Sequence, residues 1–447
     1  MIIIGIGNYR FYWWRADLRL ENIICHIDVN SAFLSWTAVD RLHRLPDSID
    51  IRETPAVIGG DQQTRRGIVL ASSIVAKSYG VKTGEPLFQA LHKCPHLAIY
   101  APDYELYVHC SARLMDLLQK VAPVVEQYSI DEAWIDLTGT DKLYGDPVRV
   151  ATLLKDRIRD ELGFTVNIGI STNKLLAKMA SDFLKPDRVH TLFPDELAAK
   201  LWPLPVGKLF FVGPATEKKL LAMGILTIGD LAKADVRHLR SRLHKHGEII
   251  WHYANGRCFD VVASQASLNK GYGNSTTTAL DIIDITAAHK VLLSLSETVG
   301  ARMRRDSQYG SCLTLHLRSS QFHDFSHQLQ LAYPTNLTLE IYQAACLALN
   351  QLWDKHTPLR QLGIYMSKVD HYGLRQGSLF TDDNYTKLSQ VDKTVDKIRE
   401  KFGSDAIFRA CLAEKNIRPM SGGPLSDPFR QRSRSSDNRS LTNDIKK

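Results

Sequence analysis

Ser129-Ile130-Asp131-Glu132-Ala133 sets two carboxylates side by side between apolar, strand-like flanks. Successive side chains of a regular strand point to opposite faces, so Asp131 and Glu132 can serve one site only where the backbone turns or bulges. A third carboxylate, Asp28, lies in the strand-like run Ile23-Ile24-Cys25-His26-Ile27-Asp28-Val29, and only tertiary pairing can bring it to the other two. Three carboxylates converging at strand ends can hold two hard divalent cations roughly 3.5–4 Å apart, the spacing of in-line phosphoryl transfer. An ordinary hairpin turn is the plainer explanation of an isolated Asp-Glu, and the pair alone leaves both open.

The chain that must position these groups has 447 residues, long enough for roughly three or four domains at about 150 residues each. An apolar fraction of 44% with 23% charged residues is that of a folded globular protein and excludes disorder of the whole chain. The net charge of +8 suits a polyanionic partner without requiring one. Seven scattered cysteines, none in a Cys-x-x-Cys pair, indicate neither a disulfide framework nor a zinc site, so a reducing, cytoplasmic setting is expected. The opening Met1-Ile2-Ile3-Ile4-Gly5-Ile6-Gly7 is too short and too poorly flanked for a signal peptide or a membrane span, and residues 1–21 read as an extension.

After Val29 a helical pattern begins with Asn30 or Ser31 as its cap, which puts Phe33 about one turn past Asp28. Two short strand-like runs, 55–60 and 67–71, flank a polar, basic tip, and a short helix stopped by Gly80 carries Lys77. Helix 103–121, strands within 124–137, helix 147–162 and strand 165–170 lead into another helix. There Lys174, Lys178 and Asp182 fall at i, i+4 and i+8. Such a stripe is usually a solvated face; beginning a turn after a strand end, it is equally placed to meet phosphate.

From Leu204 short helices are joined by Gly turns, with Pro214 at a first helical position beside Gly213, and with Lys218 and Lys219 following. This stretch resembles a helix-hairpin-helix motif, which binds a DNA backbone without reading sequence, except that Phe211 stands where the motif's first glycine is usual. A Ser-, Gly- and Asn-rich linker follows, and residues 275–369 spell β-α-β-β-α-β, a separate α+β domain. A charged helix runs to about 402, and the tail from Ser421 has the composition of a disordered segment.

Collinear motifs over about residues 22–415 resemble the Y-family of translesion DNA polymerases, especially its bacterial polymerase IV and polymerase V catalytic-subunit branches. His26 to Phe33 is similar to the first metal motif, Ser129 to Ala133 to the second, and Gly169 to Lys178 to the segment whose lysine contacts the triphosphate. The resemblance implies an α+β right-hand polymerase. Its palm, ferredoxin-like, would comprise residues 22–32 and 97–186; its fingers, small, 33–96; its helix-hairpin-helix thumb 187–262; and its little finger 270–370. A linker at 263–269 precedes the little finger, and residues 371–420 would hold a clamp-binding peptide and a C-terminal helix.

By the same resemblance Asp28, Asp131 and Glu132 are catalytic. With the Val29 carbonyl they would hold two Mg²⁺ ions, for which Mn²⁺ can substitute. Phe33 would be the steric gate against a 2′-hydroxyl, and Lys77 and Lys178 would grip the triphosphate. At Ile74 and Lys77 the chain departs from the Tyr and Arg frequent in the family, which removes a hydrogen-bond donor and a bidentate fork. Gln376-Gly377-Ser378-Leu379-Phe380 resembles the Gln-x-x-Leu-Phe peptide that docks on the bacterial sliding clamp, with Gln376, Leu379 and Phe380 as anchors.

The implied activity is template-directed, low-fidelity addition of dNTPs to a primer 3′-hydroxyl, without a proofreading exonuclease. The expected partners are primer-template DNA, dNTPs and the clamp, acting on a nucleoid-associated monomer with no membrane attachment. Two competing readings remain. One is a catalytically inactive DNA- and clamp-binding scaffold; the other is a different two-metal palm enzyme, a nucleotidyl cyclase or a structure-specific nuclease.

Overall fold

The computed structural model of the chain describes residues 22–60, 67–264, 269–373, 384–404 and 406–413. In chain order the first elements are β1 (Ile24–Val29), α1 (Ala32–Arg44), β2 (Ala56–Gly59), β3 (Val69–Ser72), α2 (Ile74–Ser78), α3 (Leu87–Lys93) and β4 (Ala98–Tyr100). Next come α4 (Tyr104–Gln119), β5 (Val124–Gln127), β6 (Glu132–Asp136), α5 (Asp141–Tyr144), α6 (Pro147–Leu162), β7 (Val166–Ser171), α7 (Lys174–Ser181) and β8 (Val189–Thr191). Four short helices follow: α8 (Pro214–Ala222), α9 (Ile228–Lys233), α10 (Val236–Leu243) and α11 (Lys245–Ala254). The last elements are β9 (Gly271–Ile282), α12 (Ile285–Arg305), β10 (Tyr309–Ser319), β11 (Asp324–Thr335), α13 (Thr338–Leu352), β12 (Leu359–Asp370) and α14 (Tyr385–Phe402). No described helix is long and apolar enough to cross a membrane.

The chain divides into two compact units, Met1–Val39 with His109–Ala266, and Asp40–Val108 with Ser267–Lys447. The first is built on a five-stranded sheet in the order β5-β6-β1-β7-β8. Every residue of the central β1 is buried, which is why the run reads as nearly continuous apolar sequence with His26 and Asp28 as its exceptions. Helix α6 starts at Asp146, whose side chain accepts the Arg149 N–H. It has Pro147 in its first turn and ends on Gly163 at φ 77°, the cap signals expected of a sequence-encoded helix. Helix α7 lies close on β7. At Gly169 a Cβ would come within 2.0 Å of the Ala177 carbonyl oxygen, so only glycine allows this approach. Leu176 and Met179 of α7 share a core with Leu220, Ile228, Leu239 and Ile250 of the short helices.

In the second unit, β2 pairs antiparallel with β3 and parallel with β4, around a small core of Val57, Val69, Leu87 and Leu97. The hairpin expected from 55–71 is thus part of a three-stranded sheet, completed by α3 and β4, which periodicity did not flag. The expected β-α-β-β-α-β order is present as the antiparallel sheet β11-β10-β12-β9, with α12 and α13 supplying the helical side of its core. Strand β9 begins at Gly271, just past the 263–269 linker and ahead of the expected start at 275, because glycines at 271 and 273 admit the Tyr365 side chain of the neighbouring β12.

Candidate active site

Asp28 in β1 and Glu132 at the start of β6 are direct antiparallel partners. Asp131 precedes β6 in the β5–β6 turn, so the strand alternation that would have separated the two adjacent carboxylates has not yet begun. The turn is fixed by its own hydrogen bonds. Ser129 Oγ donates to Asp131 Oδ1 at 2.6 Å, the Tyr128 and Ser129 N–H groups donate to the Glu132 carbonyl, and the Val29 N–H donates to the Asp131 carbonyl at 3.1 Å. Asp28, Val29, Asp131 and Glu132 therefore share one end of the β1–β6 pair. Asp131-Glu132 is thus a hairpin turn, and that turn is what places both carboxylates beside Asp28.

Two lysines meet these carboxylates. Lys178 Nζ donates to Glu132 Oε2 at 2.7 Å and lies over the rings of Tyr128 and Phe210, 5.3 and 5.5 Å from their centroids. Lys174, one turn earlier, pairs with Glu126 at 2.6 Å and lies over Trp134. The Lys174/Lys178 stripe is therefore no solvated face. Lys185 Nζ, which sequence reasoning missed, donates to Asp28 Oδ2 at 2.7 Å and lies 2.8 Å from Asp182 Oδ1. Its only sequence signal is a turn-like Lys-Pro-Asp, which says nothing about the carboxylate it reaches.

The electrostatics of the three carboxylates differ. Burial raises Asp28 to about 6; Lys185 pulls the other way, and the charges of Glu132 and Asp182 add to the rise. Asp131 is also raised, first by burial and then by Glu132, against the Ser129 hydrogen bond. Burial acts upward on Glu132 too, but the neighbouring His26 ring and the Lys178 ammonium together outweigh it and hold the carboxyl at about 2. His26 Nε2 is 3.7 Å from Glu132 Oε2, beyond hydrogen-bond reach, and burial holds the imidazole below its ordinary pKa.

Among the described residues no three Cys, His, Asp or Glu side chains are gathered closely enough to ligate one ion as they stand. The donor set nonetheless fits hard divalent cations. It is all oxygen and largely buried, the Glu132 charge raises the pKa of both Asp28 and Asp131, and ammonium groups stand at two of the three carboxylates where positive charge is wanted.

Comparison with known proteins gives the site its family. The impB/mucB/samB family matches residues 27–182, its C-terminal domain residues 269–379, and the HHH motif of the IMS family residues 194–225. The DNA polymerase IV of Clostridium acetobutylicum is 43% identical over 396 residues, covering 89% of this chain and 99% of that protein. The chain belongs to the Y-family of DNA polymerases. The DNA polymerase IV 2 of Bacillus subtilis is 34% identical over 399 residues, covering 87% of this chain and 94% of that protein. A solved Y-family DNA polymerase chimera shares the fold with a TM-score of 0.65, covering 78% of this chain and 99% of that one at 22% identity. Dependence on divalent metal comes with the family.

The remaining expected residues of this Y-family chain are distributed as follows. Phe33, the second residue of α1, is partly buried with its ring tilted against Trp36 at 6.0 Å. Lys77 and Ile74 are exposed on α2 in the other unit, a helix capped by Ser73 accepting the Ala76 N–H. Gly213 caps α8 with open space around its Cα, and Lys218 and Lys219 are exposed on that helix. Phe211 adopts the glycine-like φ of 75° despite its ring, which packs among Phe210, His246 and Tyr253. The hairpin turn thus keeps its backbone form without its first glycine. Gln376, Leu379 and Phe380, together with residues 1–21 and 421–447, lie outside the described residues.

Proposed function

We propose that the chain is a template-directed translesion DNA polymerase whose nucleotidyl transfer is carried by Asp28, Asp131 and Glu132. The observation that carries this reading is the antiparallel pairing of Asp28 with Glu132, which brings residues more than a hundred positions apart into one oxygen-rich, partly cation-filled corner. The family relationship and the intact carboxylates leave the inactive-scaffold reading without support.

Asp28, Asp131 and the Val29 carbonyl are the groups that would hold the nucleotide-side cation, and Glu132 would complete the primer-side one, with Mg²⁺ as the natural ion and Mn²⁺ able to substitute. When bound, such cations acidify the primer 3′-hydroxyl and neutralise charge on the departing pyrophosphate. Lys178, whose ammonium lies over the rings of Tyr128 and Phe210, moves from Glu132 to the triphosphate. Phe33 blocks the space a ribose 2′-hydroxyl would need, so selection for dNTPs is steric. Lys77 supplies a second charge to the phosphates without the planar fork of an arginine. Gly213, Lys218 and Lys219 hold the duplex backbone at the α8 N-terminus. The palm, fingers, thumb and little finger are assigned to 22–32 with 97–186, 33–96, 187–262 and 270–370.

The test is primer extension with Mg²⁺ on undamaged and abasic templates, each dNTP or rNTP supplied singly. Incorporation dictated by the template base and restricted to dNTPs is expected; incorporation without a template would point to another two-metal enzyme. For the sliding clamp, replacing Leu379 and Phe380 by alanine should lower clamp affinity by at least about tenfold, as for a hot-spot anchor. Unchanged binding in a pull-down titration would remove that partner.

A further inference from the structure

His26 is a buried polar ring that the proposed chemistry leaves unused. It lies two residues before Asp28 on β1, opposite Trp134 of β6 and Gly169 of β7, and so shares a sheet face with Asp28 and Glu132. Because Gly169 has no side chain, α7 settles on the sheet above it, and Ser181 Oγ comes within 2.8 Å of His26 Nδ1. Ser181 Oγ also lies 2.7 Å from the Lys178 carbonyl oxygen. On the other side of the ring, His26 Nε2 faces Glu132 Oε2 at 3.7 Å, the same oxygen to which Lys178 Nζ donates at 2.7 Å. Trp134 is tilted against the ring at 5.2 Å, the side chain is fully buried, and Nε2 has no hydrogen-bond partner among the described residues. The imidazole thus stands between α7 and Glu132.

Burial favours the neutral ring, which has one proton to place. If Nδ1 carries it, the Ser181 hydroxyl donates to the Lys178 carbonyl, and Nε2 turns a bare lone pair on a carboxylate. If Nε2 carries it, the Ser181 hydroxyl donates to Nδ1 and the ring N–H points at Glu132. A buried lone pair set against a carboxylate is both unsatisfied and repelled, so the second arrangement is the stable one. We infer that His26 is a positioning residue for Glu132: oriented by the Ser181 hydroxyl, it carries its proton on Nε2 and holds the carboxylate as a hydrogen-bond donor. The inference rests on the reading of Glu132 as a ligand of the primer-side cation. In the metal-free chain Lys178 occupies Oε2 and the His26 contact is long. Once Lys178 withdraws, a closure from 3.7 Å to the about 3.0 Å of an N–H···O bond completes it. One carboxylate oxygen is then fixed and the other left to ligate, which is how outer partners orient ligands in metal sites.

The experiment labels the full-length protein with ¹⁵N-histidine and reads the His26 ring nitrogens by long-range ¹H–¹⁵N correlation at neutral pH. The signals are assigned through their loss in His26→Gln or their perturbation in Ser181→Ala. A proton on Nε2 with Nδ1 bare is expected; a proton on Nδ1, whether or not Nε2 also has one, overturns the inference. Ser181→Ala removes the donor to Nδ1 and should mix the two tautomers, and an unmixed ring there overturns the role given to Ser181. The positioning role is read by Mn²⁺ titration without DNA or nucleotide, following free Mn²⁺ by electron paramagnetic resonance. A glutamine amide nitrogen reaches the place of Nε2, an asparagine amide nitrogen only that of Nδ1. His26→Asn should therefore weaken Mn²⁺ binding about tenfold, and His26→Gln should recover most of that loss. A merely structural histidine would lower the melting temperature in both variants and leave Mn²⁺ affinity unchanged; that result, or equal loss of affinity in both, overturns the inference. Glu132→Gln separates the two claims. Mn²⁺ binding equal to wild type there defeats the ligand reading and the positioning role with it. Loss of binding there, with wild-type affinity in His26→Asn, defeats the inference alone.

Discussion

The corner holding Asp28 and the ion-pair cluster between α12 and α14 both bury several charges, but they balance them differently. Between the helices, Arg304 is clasped by Asp392 at 3.1 Å and Asp396 at 2.6 Å, while Glu297 is clasped by Arg399 at 3.0 Å and Arg409 at 2.9 Å. Three acidic groups there face three basic ones, and Asp392 also accepts the Thr338 N–H, the first of α13. In the corner proposed as the active site, Asp28, Asp131, Glu132 and Asp182 face, among the described residues, only the ammonium groups of Lys178 and Lys185. The difference marks a finished structural joint on one side and a site left short of positive charge on the other. Burying a carboxylate without full compensation is costly unless a cation completes it, which is why the deficit is a functional signature.

Breaking the unbalanced side should have the largest effect. Asp131→Ala or Glu132→Ala should lower primer extension by about 10³-fold or more while leaving DNA binding within about twofold. Single-turnover extension beside a gel-shift titration measures both, and substantial residual extension would detach the carboxylates from the chemistry. On the balanced side, Arg304→Met leaves the buried Asp392 and the half-buried Asp396 without their arginine. Its expected cost is about 3–5 kcal/mol of stability, which Mg²⁺ should not restore in calorimetry. Restoration by Mg²⁺ would mean that this joint too recruits a cation.

pH sharpens the contrast within the corner itself. Asp28, ordinarily near 3.8 but raised to about 6, holds a proton in the folded chain that the unfolded chain has already lost. Ionising it therefore removes stability as pH rises through that window. A cation needs Asp28 ionised, so the melting shift induced by Mg²⁺ should fade as pH drops below about 6. A full shift at pH 5 would argue against Asp28 as a ligand. Glu132 runs the other way: lowered from 4.5 to about 2, it contributes stability that is complete above the first value and lost only as pH falls through the second.

The smallest effect is expected at the thumb turn. Phe211→Gly relieves roughly 1–2 kcal/mol of left-handed backbone strain and forfeits ring contacts worth about 0.5–1.5 kcal/mol. Its net change in stability should stay within about 1 kcal/mol by denaturant melts, and a loss several times larger would make the aromatic cluster the turn's main support.

Much of this molecule is determined by local sequence. The unbroken apolar run of β1, the proline and glycine at the ends of α6 and the β-α-β-β-α-β order after residue 270 are set by burial periodicity and cap chemistry, which act over a few residues. The family motifs are equally local, so Asp28, Asp131, Glu132 and Phe33 stand out in the bare chain. What periodicity could not supply is which charges meet. The sequence marks Lys178 as a phosphate contact as readily as a solvated lysine, but only α7 lying against β1 and β7 delivers it to Glu132. Lys185 finds Asp28 across 157 positions, and Arg304 finds Asp396 across 92. Those partners lie on elements brought together only by sheet register and helix packing, and a charge carries no sequence mark of the distant charge that will neutralise it. The residue types capable of the chemistry were therefore set by the chain, and their pairing, burial and ionisation were set by the tertiary structure.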